Sequence, residues 1–119
     1  MIRLPFHVLR RQNSTASAAL VDSFDRRHSY LRMSLTERCN LRCTYCMPLN
    51  GVELSSPEKL MSFDEQKRAI TIFSTLGMTK IRFTGGEPTL NKNLPELIRH
   101  ARLNSAIQSI GITTNGKTR

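Results

Sequence analysis

The sequence predicts an α/β chain built on parallel strands. Short apolar segments at Tyr30 to Thr36, Lys80 to Thr84 and Ser109 to Thr114 have the length and patterning of strands. Between them lie two longer stretches whose apolar residues recur at helical spacing. Each short segment also runs into a loop rich in Cys, Gly or Asn. Strand–helix–strand repetition of this kind implies parallel strands joined by right-handed crossovers.

Met1 to Leu20 differs from the rest of the chain. It holds Arg3, Arg10 and Arg11, no acidic residue before Asp22, and a Ser/Thr/Ala-rich run from Ser14 to Ala19. Leu4, Phe6, Val8 and Leu9 make a crude apolar face, and Pro5 argues against a clean helix in the first turn. Arg-rich, Ser-rich and acid-poor describes a mitochondrial targeting segment, so residues 1–20 are assigned to one, with the mitochondrial matrix as the expected location. A disordered basic tail is the alternative. Residues 21–119 form the second unit.

In that unit Tyr30 to Thr36 is the first strand. Asn50-Gly51 and Ser55-Ser56-Pro57 then punctuate a loop. Ser62-Phe63-Asp64-Glu65 is a capping box, opening a helix that stops at Gly77. Its inner face is expected at Ala69, Ile70, Phe73 and Leu76. The second strand, Lys80 to Thr84, ends in Gly85-Gly86. Asn93-Leu94-Pro95-Glu96 starts the next helix, with Leu94, Leu97, Ile98 and Ala101 inward. The third strand ends in Asn115-Gly116.

At 119 residues the chain holds one domain at most, with a core near the lower end of independent stability. No apolar run approaches the roughly 20 residues of a membrane span, so no membrane partner is expected. The net charge of +9 invites a nucleic-acid reading, but aromatics are 6% and no helix-turn-helix, zinc-finger or RRM pattern occurs. No nucleic-acid partner is expected; an anionic small molecule accounts for the charge equally well.

All three cysteines lie in Cys39-Asn40-Leu41-Arg42-Cys43-Thr44-Tyr45-Cys46, a C-x3-C-x2-C pattern. Thiols this close, with no further cysteine to pair them, suggest a metal site in a reducing compartment rather than a disulfide framework. Structural zinc wants four closed ligands, and His7, His28 and His100 are scattered. Three thiolates on a 4Fe-4S cubane would leave one iron open. Catalytic zinc with His28 as a further ligand stays open on spacing alone.

Ligands of parallel sheets gather at the carboxyl ends of the strands, and there lie the cysteine loop, Gly85-Gly86-Glu87-Pro88 and Thr113-Thr114-Asn115-Gly116. This predicts one shared site. Gly85-Gly86 reads either as an ordinary turn or as close backbone approach to a ligand. Arg32 and Arg82 sit where a buried strand would hold apolar residues; they are either anion ligands or edge-strand surface charges.

The cysteine pattern with Tyr45 before its last member, then Thr84-Gly85-Gly86-Glu87-Pro88, then Thr113-Thr114-Asn115-Gly116, resembles the signature of the radical S-adenosylmethionine (SAM) enzymes. Tyr30-Leu31-Arg32-Met33-Ser34, Met47-Pro48 and Lys80-Ile81-Arg82-Phe83 narrow the resemblance to the GTP 3',8-cyclases, which perform the first step of molybdenum cofactor biosynthesis. It covers about Val21 to Lys117. It implies a partial parallel, TIM-like barrel, of which this chain would hold the N-terminal three strand–helix units. It further implies that Cys39, Cys43 and Cys46 ligate a 4Fe-4S cluster whose open iron chelates SAM. Tyr45 and Gly86 match SAM-binding positions, and Arg32, Arg82 and Thr113 match GTP-binding positions. No side chain is assigned as a catalytic acid or base.

The implied chemistry is reductive cleavage of SAM to methionine and a 5'-deoxyadenosyl radical, hydrogen abstraction from the ribose of GTP, and attack of the sugar carbon on guanine. An electron donor and, for the full enzyme, a homodimer are implied by the same resemblance. The family's barrel continues beyond Arg119, into a second iron–sulphur cluster and a double-glycine tail. The expectation is therefore an N-terminal fragment or truncated isoform, inactive alone. The alternatives are a product that only binds a cluster, a different radical SAM family, and a zinc-binding structural module.

Overall fold

The computed structural model describes residues 18–104 and 106–117. Its order is β1 (Tyr30–Ser34), α1 (Phe63–Thr75), β2 (Lys80–Thr84), α2 (Leu94–Leu103) and β3 (Ser109–Ile112), with short 3-10 turns at Ala18–Leu20, Pro57–Lys59 and Pro88–Leu90. The three strands form one parallel sheet in the order β1-β2-β3. The α/β expectation holds, with the third strand–helix unit represented by its strand. The expected targeting segment lies outside the described residues apart from the Ala18–Leu20 turn.

Local chemistry explains the elements. The capping box on α1 is complete: Glu65 N–H donates to Ser62 Oγ at 3.3 Å, and Ser62 N–H donates to Glu65 Oε2 at 2.7 Å. Gly77, at φ +108°, ends the helix as expected. The inner face of α1 departs from its expected line. Ile70 is buried, but the other buried positions are Gln66 and Ser74, while Ala69, Phe73 and Leu76 are half-buried. Gln66 Nε2 donates to Met61 O at 3.0 Å and Ser74 Oγ to Thr71 O at 2.8 Å, while Gln66 Oε1 is buried with no hydrogen-bond partner among the described residues. In α2, Leu94, Leu97 and Ala101 are buried and Ile98 is half-buried.

Both helices cover the same side of the sheet. Met33, Leu35, Ile81 and Phe83 pack with Ile70, Leu94, Leu97, Ala101 and Ile107 in one core. The other face carries Tyr30, Arg32 and Ser34 from β1, Lys80 and Arg82 from β2, and Ser109 and Gly111 from β3. Parallel register aligns these as rows, Tyr30–Lys80–Ser109 and Arg32–Arg82–Gly111. Parallel sheets are ordinarily covered on both faces, so a polar, helix-free face is that of an open barrel segment.

β1 and β3 each end two residues before the expected boundary, at Ser34 and Ile112. Leu35 N–H still reaches Thr84 O, and Thr113 N–H reaches Phe83 O, both at 2.9 Å. Beyond these bonds β2 turns at Gly85, φ +143°, and the regular ladder gives way to loop contacts. A Cβ on Gly85 would lie 2.5 Å from Thr36 O, and one on Gly86 would lie 2.3 Å from Arg38 O. The glycines thus admit the backbone of residues 36–38. Gly86 N–H donates to Thr36 O at 2.7 Å, and Glu87 N–H donates to Arg38 O at 2.8 Å.

Glu87 completes the junction. It is 1% exposed. Oε1 accepts Thr89 N–H at 3.0 Å, Thr89 Oγ1 at 2.6 Å and Thr114 Oγ1 at 2.7 Å, and Oε2 accepts Asn115 N–H at 2.8 Å. Burial pushes this carboxyl up, but the bonds from Asn115 and from the side chain and backbone of the threonines outweigh it. They bring its pKa from an ordinary 4.5 down to about 2. A depressed carboxylate contributes stability above its unfolded pKa and loses that contribution as pH falls toward its folded pKa.

Two outcomes are expected. Thermal melts from pH 6 down to pH 2 should show stability falling as pH drops below about 4.5, with Glu87 contributing on the order of 3 kcal/mol. Glu87→Gln should be less stable at pH 6 and show a shallower decline; an unchanged slope would remove Glu87 as its source. Gly86→Ala should destabilise by about 1–3 kcal/mol or more, because backbone atoms must move to admit its methyl group. A wild-type melting temperature in Gly86→Ala would contradict the packing described.

Candidate functional site

The cysteine loop leaves the carboxyl end of β1 and is tied down on both flanks. Glu37 accepts Ser55 N–H at 2.7 Å and Ser55 Oγ at 2.8 Å, bonds that also hold its carboxyl below the usual range. Cys46 and Met47 N–H groups both donate to Cys43 O, at 3.1 and 2.9 Å, a tight turn that draws the second and third cysteines together. Arg42 Nη1 donates to the carbonyls of Cys39 and Leu41, each at 3.0 Å. A cleft of about 390 Å³ opens here, lined by Cys39, Arg38, Arg42, Met47, Gly51 and Leu90.

The three thiols are free; Cys39 and Cys43 are half-buried and Cys46 is exposed. Desolvation, then the neighbouring Cys43 and Cys39, pushes the Cys46 thiol above its ordinary value of 9.0. Thiolates crowded in this way repel one another until a cation neutralises them, which suits a metal-bearing group. Among the described residues no three His, Cys, Asp or Glu side chains converge on a point that would hold one metal ion. A cubane presents a different iron to each thiolate, so neighbouring thiolates that do not converge on one point can still hold a cluster.

The histidines do not join the thiols. His28 precedes β1, at the opposite end of that strand from the cysteine loop, with Nε2 3.6 Å from Asp22 Oδ2. His100 lies between the helices, with Nε2 3.1 Å from Lys67 O and 3.0 Å from Thr71 Oγ1. His7 lies outside the described residues. The zinc alternative with His28 as ligand is therefore corrected: strand direction carries that histidine away from the thiols. Tyr45 is 89% exposed, next to the last cysteine of the pattern.

The loop after β3 meets the cysteine loop directly. Asn115 Nδ2 donates to Asn40 Oδ1 at 2.9 Å and lies 4.0 Å from Cys39 Sγ. Asn40 Nδ2 donates to Lys117 O at 3.4 Å. With the Gly85-Gly86 junction, all three strand-end loops are joined, as their sequence positions predict. The motif that holds Asn115 is visible in the sequence, yet within it only Thr113 carries an expected role.

The helix-free face supplies cations. Arg32 and Arg82 are register partners, and Lys80 projects from the same face two residues before Arg82. Arg82 Nη1 donates to Thr113 Oγ1 at 3.4 Å, and its guanidinium lies over Gly111. A groove of about 480 Å³ includes Tyr30, Lys80, Arg82, Ser109 and Gly111 in its lining. Among the described residues no ion pair involves Arg32, Lys80 or Arg82. β2 is the central strand, so the edge-charge alternative fails for Arg82; β1 is an edge of this sheet. Lys80 was not among the predicted site residues, although the two-residue strand period aligns it with Arg82.

Comparison with known proteins agrees with this arrangement. Residues 33–118 match the radical SAM superfamily. The chain is 54% identical over 97 residues to Molybdenum cofactor biosynthesis protein 1 of Dictyostelium discoideum, covering 82% of this chain and 15% of that protein. It is 47% identical over 107 residues to the mitochondrial GTP 3',8-cyclase of Arabidopsis thaliana, covering 90% and 27%. Against the GTP 3',8-cyclase of Lactiplantibacillus plantarum it is 44% identical over 97 residues, covering 82% and 29%. The chain thus spans less than a third of the length of these curated relatives. Radical SAM proteins use a 4Fe-4S cluster and SAM, which the cysteine trio at the strand ends is suited to serve, and the chain belongs to the radical SAM superfamily.

Proposed function

We propose that this chain is the cluster- and SAM-binding N-terminal part of a GTP 3',8-cyclase of molybdenum cofactor biosynthesis, working in the mitochondrial matrix. The observation that carries this reading is the joining of three strand-end loops around Cys39, Cys43 and Cys46, on a sheet whose open face holds cations that form no ion pair among the described residues. Cys39, Cys43 and Cys46 hold three irons of the cluster. Tyr45, exposed beside the last ligand, and Gly86 serve SAM; Arg32, Arg82 and Thr113 serve GTP.

When bound, the cluster supplies one electron to SAM, whose cleavage provides the radical that starts conversion of GTP to (8S)-3',8-cyclo-7,8-dihydroguanosine 5'-triphosphate. The protein's task is placement and charge. Arg82, directed toward the β3 loop by its bond to Thr113, offers a fork of donors to a phosphate or carbonyl oxygen. Arg32 stands beside it in register. An external electron donor is needed. The Arg-rich, acid-poor residues 1–20 support mitochondrial import, as does similarity to the mitochondrial Arabidopsis enzyme.

A second reading, a chain that holds the cluster without converting GTP, is favoured by one observation. The cationic face of this three-stranded sheet has nothing opposite it among the described residues, so substrate contacts come from one side. Positioning within about an ångström decides orders of magnitude in rate.

Anaerobic reconstitution with iron and sulphide should load about four irons per chain, as a cubane requires. Serine at Cys39, Cys43 or Cys46 should each abolish the intact cluster, read by iron content and electron paramagnetic resonance. Stoichiometric zinc without sulphide-dependent colour would sink the assignment. The loaded chain is expected to cleave SAM slowly to 5'-deoxyadenosine while forming no cyclised nucleotide. Product formation over many turnovers, followed by chromatography, would place the complete GTP site within these strands.

A further inference from the structure

We infer that Asn115 is a positioning residue that sets the reduction potential of the proposed cluster, by aiming its side-chain amide at the Cys39 sulphur. The inference rests on the cluster reading above and goes beyond it. Asn115 Oδ1 accepts Lys117 N–H at 2.9 Å, which assigns oxygen and nitrogen and turns Nδ2 toward the cysteine loop. There Nδ2 lies 2.9 Å from Asn40 Oδ1 and 4.0 Å from Cys39 Sγ. Its two protons can serve both acceptors.

The backbone beneath is fixed independently. Asn115 N–H donates to buried Glu87, which also receives the Thr114 hydroxyl. The side chain therefore projects from a loop held at two consecutive residues. Cys39 is held from its other side, where Arg42 binds its carbonyl. Among the described residues, Cys39 is the one cysteine whose sulphur meets a side-chain amide.

At 4.0 Å the contact to a thiol is long. An iron-bound thiolate carries more negative charge and draws a donor more strongly. Hydrogen bonds to ligand sulphurs are among the factors that set iron–sulphur potentials. A donor stabilises the reduced, more negative cluster most, so Asn115 raises the potential. It eases electron entry from the donor and moderates the driving force toward SAM. Asn40 anchors the same amide and sits next to the ligand it serves.

The test is a potentiometric titration, monitored by electron paramagnetic resonance, of the reconstituted wild-type chain, Asn115→Ala and Asn115→Asp. Iron content is measured on each. Both variants should load iron as the wild type does. Asn115→Ala should make reduction about tenfold less favourable, equivalent to about 59 mV for a one-electron couple. Asn115→Asp, which replaces the donor by a negative charge, should shift at least as far in the same direction. Loaded variants within twofold of the wild type would overturn the tuning role alone. Loss of the cluster in both variants would also overturn it, by making Asn115 necessary for assembly. A wild-type chain that takes up no iron and sulphide would overturn the cluster reading, and the tuning with it.

Discussion

Three loops leave the carboxyl ends of three strands, and a sheet by itself gives them no reason to stay together. In this chain the constraint is a buried carboxylate. Glu87 sits at the turn after β2, donates its backbone N–H into the cysteine loop, and accepts bonds from Thr114 and Asn115 at the end of β3. A charge placed there would be costly without donors, and four N–H and O–H groups supply them. The carboxylate thereby fixes the spacing of the loops, and with it the position of the thiols relative to the third strand.

The neighbouring glycines belong to the same constraint. Gly85 and Gly86 are the positions at which the turn after β2 can lie against the peptide groups of residues 36–38. Their lack of side chains is used first by the protein's own backbone, independently of any cofactor contact. Cysteine loop and glycine turn consequently form one packed unit.

Much of this architecture was legible locally. The capping box at Ser62, the stop at Gly77 and the inner face of α2 depend on neighbours in sequence, and each appears where residue chemistry puts it. The face of α1 was less legible, because the Gln66 amide nitrogen and the Ser74 hydroxyl donate to nearby carbonyls from core positions that pattern alone reserves for apolar residues. Strand ends were overrun for a different reason: the regular ladder stops where a partner turns, and that turn lies in another strand. The thiols and the two arginines could be proposed from motif and position. The contact of Asn115 with Asn40 spans 75 residues of chain, which no local pattern encodes.

The one-sidedness of the core bears on how such a protein can be made. Apolar side chains of the three strands pack against α1 and α2, while the opposite face is polar and can stay wet. A segment built this way shields its apolar face using only its own residues, and hydrating the other face is no penalty. Synthesis proceeds from the N-terminus, and folding can keep to that order. In the longer relatives, the corresponding segment could therefore collapse while later strands are still being translated. The three thiols would then be gathered early, while the polar face and the loops around them are still open to solvent.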